Sequence, residues 1–583
     1  MKKIGLIIVL LSFAIHGVTQ NLNDTIKVVI DLKQVDSLGL KVNVYPPSNI
    51  GGKAVYQFPK SIPGIYEYLN NHEPFIKLVQ DKSEIKCENN SFLINNEFDS
   101  NKLTYFVRST VGKYKGISAE DTYYLTDSIY ILNWHYILGY FNKENKPYKI
   151  EINKKPKLFG SGSLSKKGIN DTTDIYIANN YKDLIHNPIM YCVPDTVSFQ
   201  IDETKFVISC AGNDSLLNSE IIKNLIYTPL SEISSKSVFK HKEYSFLYFA
   251  EYSLTPPYLT GLEHPNSTLI CYHSALLDNN IFIGSSIHEF VHSLFTPLRI
   301  RSEVINEFNF TNPVCDEFLW FYEGVTEYLT IKTLVNSGFF TSDDFLNEIE
   351  ESNKYHKNIN LGKVSSTVYG KKERRLFDNF YTKGSLFAMQ LDVEIIKQSS
   401  GKMDLFDVMQ RLQNSYNPEN PFNSKTFIAD FSLASGLDLE GFICDNTQEK
   451  IKVDYENLIE EVGFSKEYTD TLIWTYNIKK NHLISNYKKD RFEIAVFGSK
   501  MNEELGLKKV IIYEINGMPL TWYNDKKLLA PKDGQELSFR AIRKSGDVDF
   551  TMKPEQVMKT HTHLGWVKNS NYESDLARKF WKR

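Results

Sequence analysis

The sequence contains no C-x-x-C pair, although it has six cysteines in 583 residues. Paired thiolates at that spacing are typical of a structural zinc site, so their lack argues against one. The cysteines are too widely spaced to indicate a disulfide pattern. They are Cys87, Cys192, Cys210, Cys271, Cys315 and Cys444.

Strong charge of one sign is also lacking, because 67 basic and 71 acidic residues give a net charge of -4. That balance gives no indication of a nucleic-acid partner. Beyond the N-terminus, no stretch approaches a membrane-spanning length of about 18 apolar residues, so we expect no stable membrane insertion. The chain is too long for one hydrophobic core, and its length predicts several domains.

The N-terminus has the features of a signal peptide. Lys2 and Lys3 precede the apolar run Ile4 to Ile15, and small and polar residues follow through Gln20. Such a run of about 12 residues is too short to span a bilayer. We therefore predict a signal peptide over residues 1–20 and export to the periplasm or the extracellular space.

The pattern of the remaining chain predicts a multidomain α+β protein. Short runs rich in Val, Ile, Tyr, Phe and Thr, separated by Gly, Pro and Asn clusters, predict a β-sandwich-like domain over residues 21–175. After residue 284 the apolar residues follow the helical period, for example in Glu317 to Ser337. Strand patterns return from about residue 475.

The segment Ser285–His292 contains the motif H-E-x-x-H. On a helix, His288 and His292 lie on one face and can hold one Zn²⁺, with Glu289 beside the open coordination position. Ser285 or Ser286 would cap this helix. The alternative is a buried helix whose histidines form core hydrogen bonds. The motif arises by chance in roughly 2 of 100 chains of this length. A third metal ligand is therefore needed to distinguish a zinc site from a buried helix.

Glu323 is the candidate for that third ligand, 31 residues beyond His292 (323 − 292). Its neighbours are apolar and aromatic, so its charge needs a partner, and a metal ion is one. Glu327, one helical turn further on, could accept the free N–H of a ligating histidine and fix its tautomer. The alternative for Glu327 is a solvent-facing carboxylate.

With these residues, the sequence resembles the glycyl aminopeptidase family of gluzincin metallopeptidases. The resemblance depends on H-E-F-V-H at 288–292, L-W-F-Y-E-G-V-T-E-Y at 319–328, G-L-E-H-P-N-S at 261–267 and Y-T-K-G-S at 381–385. Residues 498–519 also resemble part of a PDZ domain, which that family carries at its C-terminal end. The resemblance covers most of residues 21–560 and is specific across 240–420.

The resemblance implies a domain order. A thermolysin-like α+β catalytic domain with a helical half would occupy residues 176–470. A PDZ-like β-rich domain would occupy 480–560 and could bind a peptide or protein ligand. A tail over 561–583 follows, with no assigned role.

It also implies roles for individual residues. His288, His292 and Glu323 would hold one Zn²⁺ per chain, and Glu289 would assist the attack of zinc-bound water. Three further assignments concern the catalytic and substrate-binding residues. Tyr381 would donate its O–H to the oxyanion, Glu263 would hold the substrate's free α-ammonium, Gly261 would help to bind the substrate, and His264 has no evident role. The alternatives are a core tyrosine at Tyr381 and an incidental loop carboxylate at Glu263.

The sequence departs from the family pattern at several positions. Leu294 replaces a usual Trp, Thr260 replaces the first Gly of G-G-L-E-H, and Ser302 ends a K-R-I-R-P-like run. Lys509-Val510 replaces the Gly-Asp pair of the PDZ core. None of these positions is a metal ligand or the base. The departures therefore concern the substrate subsites and the capture of a peptide carboxylate by the PDZ-like domain, and not the catalytic chemistry.

The sequence therefore predicts an exported zinc-dependent aminopeptidase that removes a small N-terminal residue, Gly or Ala, from peptides with a free N-terminus. Two alternatives stay open. One is a catalytically inactive peptidase-fold protein that acts in binding or as a scaffold. The other is a zinc endopeptidase, which activity on N-acetylated peptides would favour.

Overall fold

The computed structural model describes residues 24–566 and Phe580, apart from short gaps. The gaps are 36, 48–52, 70–75, 81–82, 86–89, 96–101, 111–117, 126–127, 142–144, 213–217, 251–258, 273–278, 355–358, 450–452, 476–482, 489–490, 498–501, 504, 506–508, 520–533 and 544–545. The predicted signal peptide and most of the predicted tail lie outside the described residues.

The N-terminal region is rich in β-strands, as predicted. Its strands are β1 (Ile26–Asp31), β2 (Leu40–Tyr45), β3 (Lys53–Gln57), β4 (Ile76–Gln80), β5 (Ser83–Ile85), β6 (Ser91–Asn95), β7 (Leu103–Val107), β8 (Tyr123–Leu125), β9 (Ile129–Leu132), β10 (Tyr140–Phe141), β11 (Tyr148–Asn153), β12 (Phe159–Ser161), β13 (Ser165–Asn170), β14 (Thr173–Ala178) and β15 (Ile189–Cys192), with helices α1 (Trp134–Ile137) and α2 (Tyr181–Ile185). An eight-stranded sheet has the order β13-β14-β11-β1-β2-β7-β4-β5. Smaller sheets have the orders β10-β3-β6 and β12-β15-β9-β8.

The next sheet joins the N-terminal region to the helical region. Its strands are β16 (Asp195–Ile201), β17 (Thr204–Gly212), β18 (Glu243–Ala250), β19 (Leu259–His264) and β20 (Ser267–Tyr272), in the order β16-β17-β18-β20-β19. Alternate residues of β18 point to opposite faces, so Phe246 and Tyr248 enter the helical core while Leu247 and Phe249 enter the N-terminal core. β19 lies at one edge of this sheet, and its residues Leu259 to Glu263 line the cavity described below.

The middle of the chain is helical, as predicted. Its helices are α3 (Ser219–Ser235), α4 (Asn279–Leu294), α5 (Glu303–Asn306), α6 (Thr326–Asn336), α7 (Ser342–Lys354), α8 (Leu361–Ser366), α9 (Asp378–Gln398), α10 (Leu405–Ser415), α11 (Phe427–Ser435), α12 (Glu440–Thr447) and α13 (Tyr455–Glu461). A π-helical turn, Trp320–Val325, leads into α6, and a 3₁₀ turn, Glu373–Leu376, precedes α9. None of the helices in the described ranges is long and apolar enough to cross a membrane.

Two local predictions were wrong. The cap prediction for Ser285 or Ser286 fails because α4 begins at Asn279 and buries Ser286, whose hydroxyl donates to the Phe282 carbonyl at 2.8 Å. The apolar residues before Gly284 extend the helix toward its N-terminus. Glu263 lies in strand β19 rather than in a loop, because β19 pairs with β20 from Leu259 to His264.

The C-terminal region is again rich in β-strands. Its strands are β21 (Phe464–Thr475), β22 (Leu483–Lys488), β23 (Arg491–Phe497), β24 (Lys509–Ile515), β25 (Met518–Pro519), β26 (Leu537–Arg543), β27 (Gly546–Met552) and β28 (Glu555–Trp566). A sheet of order β22-β23-β24-β26-β27 has a small core that includes Val510 and Phe539. β28 pairs with β21 along its whole length and extends into the predicted tail. The PDZ-like identity of this region stays a prediction.

Candidate metal centre and active site

His288, His292 and Glu323 lie together in the helical region. They form the one group of potential metal ligands within the described residues, with ligand atoms within 4.8 Å of one another. The Nε2 atoms of the two histidines are 3.0 Å apart. Glu323 Oε2 lies 3.4 Å from His292 Nε2 and 3.7 Å from His288 Nε2. All three side chains are buried.

Two helices bring these atoms together. His288 and His292 are one turn apart on α4, so their imidazoles face the same way. Glu323 lies in the π-helical turn that precedes α6, and such turns occur frequently at functional sites. The neighbouring Trp320 and Phe321 are fully buried, which fixes the turn in the core.

The charge of Glu323 makes this group fit a bound cation. Although burial raises the pKa of Glu323, the facing imidazoles of His292 and His288 lower it below its usual value, so the carboxylate stays ionised. Its Oε2 is buried and accepts no hydrogen bond from any residue in the described ranges. A buried charge needs a partner, and two imidazoles plus a carboxylate are ligands that Zn²⁺ prefers.

The outer nitrogens of both histidines also lie close to oxygen acceptors. His288 Nδ1 lies 2.8 Å from Glu327 Oε2. His292 Nδ1 lies 2.7 Å from the carbonyl oxygen of Thr296, to which it can donate. These contacts favour the tautomer in which each Nε2 lone pair points toward Glu323, as in other metal sites with such outer partners.

Glu289 lies opposite the edge strand β19. A Cβ built on Gly261 would lie 2.2 Å from Glu289 Oε1, so only a glycine permits this approach. Burial raises the pKa of Glu289, and the neighbouring imidazoles of His288 and His292 partly oppose the shift. A carboxylate with a raised pKa beside a cation site is suited to accept and return a proton.

Tyr381 and Glu263 face the same cavity. The Tyr381 ring, in the first turn of α9, lies 5.6 Å from the His288 ring. Burial, and then the charges of Glu323 and Glu289, raise the pKa of Tyr381 well above its usual value, so its hydroxyl stays a donor. Burial also raises the pKa of Glu263 to about 7. The neighbouring His264 is buried, and burial lowers its pKa to about 3, so it is neutral.

The cavity at this site has a volume of about 510 Å³. Several of its lining residues were missed in the sequence, because no motif marks them and they lie in distant segments. They are Gly64, Tyr66, Glu120, Arg374 and Phe377. A Cβ on Gly64 would lie 2.8 Å from Glu263 Oε1, and the Tyr66 ring lies 5.5 Å from that of Phe377. The N-terminal region therefore forms one wall of the site.

A His-His-Glu group with a glutamate at its side and an open edge strand across from it defines the site of a metallopeptidase. Two family models match the chain. Residues 27–193 match the Peptidase M61 N-terminal domain, and residues 281–386 match the M61 glycyl aminopeptidase. The chain thus contains an M61 N-terminal domain and an M61 glycyl aminopeptidase domain, and it is a metallopeptidase of the aminopeptidase type.

One of the solved structures that match the chain shares its fold over almost the whole length. An aminopeptidase N family protein from Idiomarina loihiensis aligns with a TM-score of 0.71 at 17% identity, covering 96% of this chain and 100% of that chain. An M1 zinc metallopeptidase from Deinococcus radiodurans gives a TM-score of 0.46 at 8% identity, covering 74% of this chain and 94% of that chain. Legionella pneumophila aminopeptidase A in complex with aspartic acid also gives a TM-score of 0.46, at 12% identity, covering 92% of this chain and 58% of that chain. A search of curated proteins gave no match.

Proposed function

We propose that the protein is an exported, zinc-dependent aminopeptidase that removes one small residue, Gly or Ala, from the free N-terminus of a peptide. The observation that carries this proposal is the position of Glu289 between the buried His288, His292 and Glu323 group and the edge strand at Gly261. The proposal of export is based on the basic and apolar N-terminal segment. The proposed preference for Gly or Ala is based on the family resemblance.

The residues divide the chemistry between them. His288, His292 and Glu323 would hold the ion, one per chain, and Glu327 would orient His288. When bound, Zn²⁺ supplies a Lewis acid that activates water and polarises a carbonyl. Glu289 takes the proton of the attacking water and returns it to the leaving amine. The Tyr381 hydroxyl stays protonated and can donate to the oxygen that becomes negative.

Glu263 gives the site its exopeptidase character. Its buried carboxylate faces the cavity and is the natural partner of an α-ammonium, and low local polarity strengthens such a pair. Gly64 packs against this carboxylate, since a Cβ built there would lie 2.8 Å from Glu263 Oε1. A peptide that extends past its first residue on that side would collide with the N-terminal region. The β-rich region over 480–560 would bind a separate peptide or protein ligand.

Metal analysis of the purified protein, combined with hydrolysis of a panel of aminoacyl substrates, tests this function. We expect one zinc per chain and highest activity on Gly and Ala substrates. Glu289→Gln should keep the metal and lose activity by about 10²-fold or more, because an amide cannot accept the proton. Glu203→Gln, at an exposed turn, is the matched control and should retain activity. Wild-type activity in Glu289→Gln would refute the assignment of the base.

Acetylation of the substrate separates the alternatives. Glu263→Ala should raise KM and lower kcat for free-amine substrates, because a misplaced amine misplaces the scissile bond. N-acetylated peptides should be poor substrates of the wild type. Equal activity on acetylated and free peptides would support an endopeptidase instead. Bound zinc without activity on either would support a binding or scaffold protein.

A further inference from the structure

A second charged group lines the cavity apart from the metal group. It consists of Glu120, Arg374 and the neighbouring Glu67. Arg374 Nε lies 3.5 Å from Glu67 Oε2, and its guanidinium carbon lies 4.2 Å from the centre of the Phe377 ring. The carboxylate of Glu120 has no hydrogen bond or ion pair with any residue in the described ranges, and Arg374 acts on it only at longer range. The group therefore contains a carboxylate that faces the cavity without a direct partner.

The turn that carries Glu120 is held in a fixed position. The Ala119 N–H donates to Thr260 Oγ1 at 2.8 Å, which ties the turn to strand β19. On its other side, the Asn133 side-chain amide donates to the carbonyl oxygens of Ala119 and Asp121 at 2.9 and 2.7 Å. Thr260 stands where the resembled family has a glycine, which has no side chain to accept this bond. The hydroxyl of Thr260 thus positions Glu120 at the cavity.

The strand relates this position to the substrate. If Glu263 holds the α-ammonium and Glu289 lies opposite Gly261, the peptide runs along β19 from Glu263 toward Thr260. Three strand residues span about 10 Å, a distance that the charged end of a long side chain on the second residue of an extended peptide can reach from the α-amine. A Lys or Arg side chain at that second residue is therefore long enough to reach the end of β19 that carries Thr260 and, beside it, Glu120.

We propose that Glu120 binds the positively charged side chain of a Lys or Arg that follows the scissile bond, and that Thr260 is the residue that positions Glu120. This proposal rests on the proposed aminopeptidase function, because that function sets the direction of the peptide. It adds a preference for a basic second residue to the preference for a small first residue.

The local charges favour a cation over an anion. Three acidic side chains, Glu67, Glu120 and Asp121, lie near one basic side chain, Arg374, so negative groups outnumber positive ones. The guanidinium of Arg374 already faces Glu67 and Phe377. Burial, and then Glu67 and Asp121, raise the pKa of Glu120 to about 7. An ammonium or guanidinium bound here would restore the ionised state, whereas an acidic side chain would be repelled.

Calorimetric binding to the full-length Glu289→Gln protein tests the proposal without turnover. We expect Ala-Lys-Ala to bind about tenfold more tightly than Ala-norleucine-Ala at pH 8, because a charge-assisted hydrogen bond in a partly buried site is worth about that much. The added substitution Glu120→Gln should reduce the ratio to about one. Thr260→Val should reduce it partly, and Thr260→Ser should restore it, since serine keeps the acceptor.

A second pair of peptides, Lys-Ala-Ala and norleucine-Ala-Ala, locates the cation. A preference that depends on Glu120 but is confined to this pair would overturn the assignment to the second residue. Equal affinity within both pairs, or a preference that survives Glu120→Gln, would overturn the role of Glu120. If the wild type hydrolyses no aminoacyl substrate while the lysine preference is present, the proposed function fails and the cation site stands.

Discussion

Gly324 and Gly384 are in backbone contact where the π-helical turn with Glu323 crosses helix α9 with Tyr381. A Cβ built on Gly324 would lie 2.5 Å from the Cα of Gly384, and one built on Gly384 would lie 2.9 Å from the Cα of Gly324. Neither glycine has a positive φ, so glycine is required at both positions because a side chain would not fit, and not because of the backbone conformation. This contact sets the separation between a proposed metal ligand and the proposed oxyanion donor.

Gly384→Ala should therefore damage both stability and the site. Because the clash is with backbone, the helices must separate, and overpacking of this kind costs about 1–3 kcal/mol. Thermal unfolding should show a lower Tm, and a metal competition assay should show weaker zinc binding. Gly441→Ala is the matched control, because Gly441 is also helical and has nothing within 4 Å of a built Cβ. That control should be neutral or stabilising.

Glu327→Ala should weaken metal binding without removing a ligand. Its carboxylate lies 2.8 Å from His288 Nδ1, and loss of such a contact typically costs 10–100-fold in metal affinity or activity. Competition with a chelator would measure the change, with Glu203→Ala, which removes an exposed carboxylate, as the control. Unchanged zinc affinity in Glu327→Ala would show that His288 needs no such support.

The local pattern of the sequence was sufficient to predict the centre of the site. Residues four apart on a helix face the same way, and a glutamate among aromatic residues needs a partner, so His288, His292 and Glu323 follow from rules that act over short distances. The strands and helices around them follow from apolar periods of two and 3.6 residues.

The N-terminal wall of the cavity could not be predicted in this way. Ser61 Oγ and Tyr369 Oη lie 3.4 Å apart although 308 positions separate them in the chain. No local period or motif marks Tyr66 or Glu120, because their positions arise from the packing of one region on another. The extension of β28 into the predicted tail was missed for a related reason, since it depends on pairing with the distant strand β21.

The lysine preference should depend on pH. Because the pKa of Glu120 is raised to about 7, its carboxyl group is mostly neutral at pH 6 and mostly ionised at pH 8. A lysine side chain stays charged over this range. The affinity ratio of Ala-Lys-Ala to Ala-norleucine-Ala should therefore rise as the pH rises through about 7. The charged groups that act on Glu120 are Glu67, Asp121 and Arg374, and none of them is expected to reverse this direction.

The same raised pKa has a consequence for stability. An acid whose folded-state pKa is above its unfolded value of 4.5 favours folding at low pH and loses that contribution as the pH rises toward 7. Glu120→Gln should therefore raise Tm more at pH 8 than at pH 5, relative to the wild type. A pH-independent difference in Tm would show that Glu120 titrates normally.

Phe580 connects the end of the chain to the helical core. Its side chain is 2% exposed, and its ring lies 6.0 Å from that of Phe345 in α7 and 5.1 Å from Lys332 Nζ in α6. Lys332 is itself buried and bonded to Asp392 at 2.6 Å. Phe580→Ala should lower the free energy of unfolding by about 3 kcal/mol or more, because it leaves a cavity beside a buried ion pair. Chemical denaturation would measure this loss.

Two further variants test whether the loss of stability is specific to Phe580 or follows from removing any aromatic ring. Phe159→Ala, at a ring that is 45% exposed, should change stability little. Truncation after Trp566 should cost about as much as Phe580→Ala if Phe580 is the main attachment of the tail. Because α7 also lines the cavity at Glu348, both tail variants should loosen that wall and raise KM for peptides. Wild-type stability in the truncated protein would show that the tail does not support the helical core.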